Sequence, residues 1–278
     1  MDMRTKADEE TETPGLADTH CHVLAADYPD MSETFERAAA AGVTRMLVAG
    51  SDLRTSREAI DVADRYSSFG VHAAAGVHPH EAVHASGRLP DGIRELALHP
   101  RVAAVGETGL DYYYDHSPRD MQRSCFLEHV RFAGEIGKPL IIHGRDSYDD
   151  LRAILRKETG GAARGVVHCF SGTEEDAADL LDMGLYLSFG GPLTFRRSDA
   201  LRDLFRTLPE ERILLETDSP WLTPHPLRGK RNEPSYVRMV YERAAEIRGV
   251  PLERLAAAVF KNAALLFGWG DSAAEVGA

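Results

Sequence analysis

Cysteine is scarce in this chain. Cys21, Cys125 and Cys169 are its three among 278 residues; they cannot all pair, and no two of them form a CxxC. A disulfide framework is therefore not expected, and a reducing cytoplasm suits the chain best. Long apolar runs are missing as well. No stretch approaches the roughly 20 residues that a membrane helix requires. The opening MDMRTKADEETETPG is polar and mostly acidic where a secretory signal would need an apolar segment. Positive charge is in deficit, 32 Lys and Arg against 44 Asp and Glu, for a net charge of −12. That argues against a surface coated for nonspecific nucleic-acid binding, because neutralising phosphates needs a basic face. A nucleic-acid substrate held by local cations and a metal is still compatible. The chain also lacks any Pro/Gly/Ser-rich linker, any repeat of solenoid length, and any feature pointing to a stable protein partner or a membrane.

What is present is alternation. Leu16–His22, Arg45–Gly50, Gly70–Val77, Val102–Glu107, Pro139–His143, Gly165–Cys169, Leu185–Phe189 and Arg212–Glu216 are predicted strands. Met31–Ala41, Ser56–Tyr66, Met121–Ile136, Tyr148–Lys157, Glu174–Met183 and Ser198–Leu208 carry helical spacing between them, and Ser235–Arg248 and Leu252–Phe267 come after. Thr173, with Glu174, Glu175 and Asp176 behind it, reads as a helix cap followed by acids that favour the N-terminal turn. The pattern predicts an α/β fold, a TIM-like (β/α)8 barrel forming a single domain over residues 15–270. A disordered N-terminal extension, 1–14, and a disordered tail, 271–278, are expected around it. A doubly wound open sheet would show the same alternation.

Six polar residues decide for the barrel. His20 and His22 in ADTHCH, Glu107 in AAVGETGLD, His143 in PLIIHGRD, His168 in GVVHCFSG and Asp218 in RILLETDSP each stand where a strand should give way to a loop. Groups from the first, fourth, fifth, sixth and eighth strands can meet only if those strand ends ring a common axis. His20 and His22 are two apart, so on a strand both imidazoles share a face while Cys21 points away; Cys169 is opposed to His168 in the same manner. The donor set is thus imidazole and carboxylate, which suits Zn, Mn, Fe, Co or Mg. Glu107, midway in the strand order and carrying two oxygens, is the natural bridge if two ions bind. Asp218 can ligate a metal and accept a proton from water, and it can also cap the turn before Pro220. Any one of the six alone reads more readily as a hydrogen-bonded residue near the core; the set reads as a metal site.

The motifs DTHCH, GVHPH, GETGLDYY, IIHGRD, HCFSG and ETDSPWLTPxPxRGKRNEPxYV together resemble the TatD family of metal-dependent deoxyribonucleases, from about Leu16 to Phe267. The resemblance implies an amidohydrolase-type TIM barrel with one or two divalent ions (Mg, Mn or Zn) held by His20, His22, Glu107, His143, His168 and Asp218. It implies hydrolysis of DNA phosphodiesters, often as an exonuclease, with Glu107 and Asp218 in catalytic roles. The family often follows DTHCH with Leu-Asp, whereas Val23 and Leu24 stand here, so an acidic residue near the substrate entrance is absent.

The substrate side of such a site would lie in the strand-to-helix loops. His78 and His80 in GVHPH can donate to phosphate oxygens. Arg145 can do so as a fork donor, or pair with Asp146 or Asp149. Arg228, Lys230 and Arg231 concentrate positive charge after the last strand. Tyr112, Tyr113, Tyr114 and Trp221 can stack on bases of a single strand or a DNA end, or pack the loops onto the barrel rim; packing is expected for at least two of the four. The alternative enzyme is a lactonase or cyclic-amide hydrolase of the same barrel class, which would more often carry a lysine where Glu107 stands; Lys138 precedes the fifth strand, at the wrong end. A noncatalytic barrel that binds metal or a partner is the remaining alternative, and the ring of active-site loops argues against it.

Overall fold

The β-branched and alanine-rich runs form eight strands, because extended backbone with such side chains buries both faces between a barrel interior and a ring of helices. The computed structural model describes residues 15–270, so the expected disordered ends, 1–14 and 271–278, lie outside the described residues. The strands are β1 (Leu16–Cys21), β2 (Val43–Ala49), β3 (Val71–Ala75), β4 (Val102–Asp111), β5 (Leu140–Arg145), β6 (Gly165–Val167), β7 (Tyr186–Phe189) and β8 (Ile213–Leu215). They form one sheet in the order β1 to β8, each neighbouring pair parallel. The helices are α1 (Met31–Ala40), α2 (Leu53–Arg65), α3 (Asp91–Ala97), α4 (Arg119–Ile136), α5 (Tyr148–Thr159), α6 (Glu174–Asp182), α7 (Asp199–Thr207), α8 (Val237–Arg248) and α9 (Leu252–Phe267). Sequential parallel strands joined by helices curl into the predicted barrel.

Several expected boundaries move. The fourth strand does not end at Glu107 but runs on to Asp111, which places Glu107 in mid-strand. The eighth ends at Leu215, three residues before Asp218. The seven-residue α3 escaped the sequence pattern, being two turns long with Gly92 in its first turn. The acid-rich start of α6 behaves as expected: Thr173 and Asp176 form a reciprocal capping box.

Closure between β8 and β1 is made largely beyond the ladder. Asp218 N donates to His20 O at 3.0 Å, and His22 N to Ser219 O at 2.7 Å. Deeper in the seam, Thr19 Oγ1 donates to Leu215 O at 3.0 Å. Asp18 accepts from Thr217 N at 2.8 Å and from Thr217 Oγ1 at 2.6 Å. Burial outweighs these bonds and raises the Asp18 pKa to about 8, so the seam carries little charge at neutral pH. Helices α8 and α9 pack over this junction against both strands.

Between β4 and β5 the backbones approach closely at two glycines. A Cβ on Gly109 would stand 2.0 Å from His143 O, and Gly106 is similarly pressed on Ile141 O; their φ angles are +143° and +144°. Only glycine occupies that region readily. Gly249, at φ +66° with open space around its Cβ position, is a matched control. Gly249→Ala should cost about 1 kcal/mol and Gly109→Ala at least about 3 kcal/mol, read as denaturation midpoints. Equal midpoints would refute the close approach.

Candidate metal centre

Glu107 organises the site. Its carboxylate is buried, and its two oxygens face two different groups of imidazoles. Oε2 lies 3.3 Å from Nε2 of His20 and 3.3 Å from Nε2 of His22. Asp218 Oδ1 joins that group, 3.6 and 3.8 Å from the same two nitrogens. Oε1 lies 2.8 Å from His168 Nε2, 3.1 Å from His143 Nδ1 and 3.3 Å from His78 Nε2. Donor atoms of His20, Glu107 and His168, of His20, His22 and Asp218, and of His78, Glu107 and His143 lie within 4.8 Å of one another in each set. The structure therefore brings together all six residues singled out as ligands, and adds His78 to them.

The strands explain the gathering. His20 is in β1 and His22 one residue past its end, their imidazoles 4.8 Å apart between ring centres. Cys21 turns away, its thiol against Leu47 O at 3.4 Å. His143 lies in β5, and His168 directly succeeds β6. All three cysteines are free, as expected.

Residues 17–268 match the family model described as TatD related DNase. The chain belongs to the TatD family. The "uncharacterized metal-dependent hydrolase YabD" of Bacillus subtilis is 42% identical over 253 residues, covering 91% of this chain and 98% of that protein. A protein of Rahnella sp. named "3'-5' ssDNA/RNA exonuclease TatD" is 37% identical over 243 residues, covering 86% of this chain and 92% of its own. The crystal structure of YjjV, a TatD homolog of Escherichia coli K12, superposes with a TM-score of 0.83 at 29% identity, over 93% of this chain and 100% of that one. The protein is thus a TatD-family metal-dependent hydrolase.

The donor chemistry of this TatD-family site fits divalent ions. His22 Nδ1 donates to Ala49 O at 2.9 Å, which turns its Nε2 toward Glu107 and Asp218. His143 Nε2 meets Asp111 Oδ2 at 3.0 Å, while Nδ1 faces the cluster. His168 Nδ1 lies 3.4 Å from Glu216 Oε1, with Nε2 facing the cluster. An outer partner on the far nitrogen orients an imidazole for a metal and fixes its tautomer. The Nε2 atoms of His20 and His22 stand only 3.0 Å apart, an approach a shared cation explains without a proton. No thiolate enters the set, so nitrogen- and oxygen-binding ions are suited.

Asp111 and Glu216 are site residues that sequence reasoning missed. Asp111 comes four residues after Glu107, hence on the same strand face once β4 is seen to continue; Oδ2 also meets His80 Nε2 at 3.1 Å. Glu216, two before Asp218 and fully buried, accepts from Cys169 N at 2.7 Å.

The residues expected on the substrate side are distributed unevenly. His78 belongs to the ligand cluster itself, and His80 to Asp111. Arg145 pairs with neither Asp146 nor Asp149; its guanidinium lies over the Tyr113 ring at 4.2 Å and the Tyr114 ring at 4.9 Å. Arg228 lies 4.0 Å over Phe195, and Arg231 donates to Asp27 O beside the Tyr28 ring. Lys230 is exposed. Among the described residues none of these four cations forms an ion pair with a carboxylate. Of the four aromatics, Tyr112 packs, with its hydroxyl 2.6 Å from Asp150 Oδ2. Tyr113, Tyr114 and Trp221 are about half exposed and make ring contacts at the rim: Trp221 meets His22 edge-on, Tyr113 meets Tyr114, and Tyr114 stacks on His116.

Electrostatics tie ion binding to pH. Burial works to lower the His168 pKa, but Glu107 and Glu216 carry it well above the ordinary imidazole value. Burial works to raise Glu107, and His168, His78 and His20 hold it well below the usual carboxylate range. His168 thus favours its protonated form, and an ion held at its Nε2 would displace that proton. Apparent affinity for Zn or Mn should increase from about pH 6 to about pH 8, with proton release on binding. Calorimetry in buffers of differing ionisation enthalpy measures both, and an affinity flat across that range would contradict the charge assignment.

Proposed function

We propose that this hydrolase cleaves phosphodiester bonds of DNA as an exonuclease, acting on single strands or strand ends, with His20, His22, Glu107, His143, His168 and Asp218 as its ion ligands. The observation that carries this reading is the division of Glu107: one carboxylate oxygen faces His20, His22 and Asp218, the other His143 and His168. Two neighbouring divalent ions would find ligands in these two groups, Glu107 offering an oxygen to each, and there they would supply positive charge toward a phosphoryl group. The relatives' names support the same chemistry. Bound there, divalent ions supply Lewis acidity toward a phosphoryl oxygen and lower the pKa of water from 15.7 toward about 7.

The chain's own residues supply the rest. Burial raises the Asp218 carboxyl to about 6, so it is ionised at neutral pH yet more basic than a solvent-exposed aspartate. It orients the attacking water and takes its proton. Glu107, held ionised, keeps the two groups of ligands in register. His80 is the more exposed of its motif pair and can donate toward a phosphate oxygen, and Arg145, Arg228, Lys230 and Arg231 offer cations to the flanking phosphates. The unpaired thiols support a reducing cytoplasm as the place of work, and the single sheet supports one catalytic domain over 15–270.

The carbon–oxygen and carbon–nitrogen hydrolases are disfavoured by Lys138. Its Nζ donates to Ala97 O and Val102 O, each at 2.6 Å, at the opposite end of the barrel, so it cannot serve as a bridging carbamate.

Glu107→Ala should retain its far-ultraviolet circular dichroism and lose more than about 100-fold in kcat/KM on end-labelled single-stranded DNA with Mg or Mn, since even outer-shell changes cost 10- to 100-fold. Wild-type cleavage by this variant would end the assignment. A panel adding lactone and cyclic-amide substrates tests the bond class, with turnover expected on the oligonucleotide alone.

A further inference from the structure

Five large apolar side chains are prominently exposed among the described residues: Leu98, Leu265, Tyr113, Tyr114 and Trp221. The two leucines stand at the end of α3 and on α9. The three aromatics border the metal centre, on opposite flanks. The Trp221 ring meets His22 edge-on, with centroids 5.0 Å apart. On the other flank the Tyr114 ring meets His80 edge-on at 5.6 Å, and Tyr113 meets Tyr114 at 4.8 Å. Contacts run unbroken from Trp221 through His22, Glu107, His143, Asp111 and His80 to Tyr114.

These rings are exposed but not loosely held. Trp221 N donates to Asp218 O at 2.9 Å, and Asn232 Nδ2 donates to Trp221 O at 2.6 Å. Tyr113 N and Tyr114 N both donate to Asp111 Oδ1, at 3.1 and 2.9 Å. Tyr114 is itself stacked on His116, with centroids 5.6 Å apart and planes 13° from parallel, so Tyr113 and Trp221 are the more open rings. A fixed backbone carrying a half-exposed ring loses little freedom on binding a flat partner. Arg145, with no carboxylate partner among the described residues, lies over both tyrosines and can meet a phosphate beside a base stacked there. The net charge of −12 gives a polyanion no long-range attraction, so local contacts must hold it. Stacking is such a contact, and it is open to any base of a single strand.

We propose that Trp221 and the Tyr113–Tyr114 pair are two base-stacking stations, one on each flank of the Glu107 carboxylate, that receive the bases on either side of the scissile phosphate. The proposal rests on the phosphodiesterase reading and deepens it by naming the side chains that take the bases; paired bases in a duplex cannot part to reach both stations.

Trp269 is buried and Trp221 exposed, so quenching of tryptophan fluorescence reports on one station directly. The Mg-loaded wild-type protein is titrated with a short cleavage-resistant phosphorothioate strand and with an abasic strand of the same length and charge. Quenching by the intact strand and none by the abasic one is expected. In parallel, KM is measured for intact and abasic phosphodiester strands. The abasic strand should have a KM roughly 5- to 150-fold higher for each lost stack. That ratio should fall toward one in Trp221→Ala and in the Tyr113→Ala/Tyr114→Ala double variant, and return in Trp221→Phe. Equal quenching and equal KM for the two strands, with cleavage intact, would overturn the stations and leave the phosphodiesterase reading standing. Absence of cleavage of any strand by the wild type would overturn that reading itself.

Discussion

One buried negative charge governs this molecule. The Glu107 side chain is almost wholly out of water, where an uncompensated carboxylate would cost several kcal/mol. It is compensated by imidazoles from β1, β5, the end of β6 and the segment after β3. No local piece of chain could supply them, so the charge is satisfied only when the sheet curls round on itself. In the ion-free chain the compensation comes from protons, above all the one kept by His168. Ions held by these residues would take over that role. Barrel formation and the proposed ion binding would therefore draw on the same interaction, with bound ions stabilising the fold that creates their site.

The seam between the last and first strands serves the same end. β8 has three residues, and beyond Leu215 the backbone leaves the ladder. Asp218 takes a positive φ of 54°, uncommon for a side-chain-bearing residue, and from there reaches the first group of imidazoles. Its own amide holds His20, while the amide of His22 holds Ser219. The bonds that close the barrel are thus the bonds that set ligand beside ligand, and a slip along the seam would disperse the site.

How far the sequence discloses this depends on the kind of constraint. The spacing of His20 and His22 is legible because strand periodicity leaves one answer. The convergence of ligands from distant strands is legible because few folds permit it. Asp111 is not, for a definite reason: Gly106 and Gly109 weaken the strand pattern just where the backbone needs them to pass β5. A strand judged to stop at Glu107 hides the residue four further on that shares its face. Glu216 is masked by its neighbour, since either acid of ETDSP suits a metal, and only the packed structure shows that Asp218 faces the imidazoles of β1 and Glu216 the back of His168. The loops are the least legible part. Their position in the chain says which rim they occupy, but Arg228 and Arg231 lean on Phe195 and Tyr28, rings supplied by other connections.

The acidic character of the chain acquires a meaning at this point. A net charge of −12 repels a nucleic-acid strand at a distance, and within one Debye length, about 8 Å at physiological salt, only nearby groups count. The cations free of carboxylate partners among the described residues include Arg145, Arg228, Lys230 and Arg231, all in loops or strand ends after β5 and β8. Each divalent ion held by the proposed ligands would add two further positive charges at the mouth of the barrel. Exposed cations without a carboxylate partner among the described residues also stand on the helices, Arg65 on α2, Lys157 on α5 and Lys261 on α9, so what sets the mouth of the barrel apart is its gathered imidazoles and carboxylates rather than free cations.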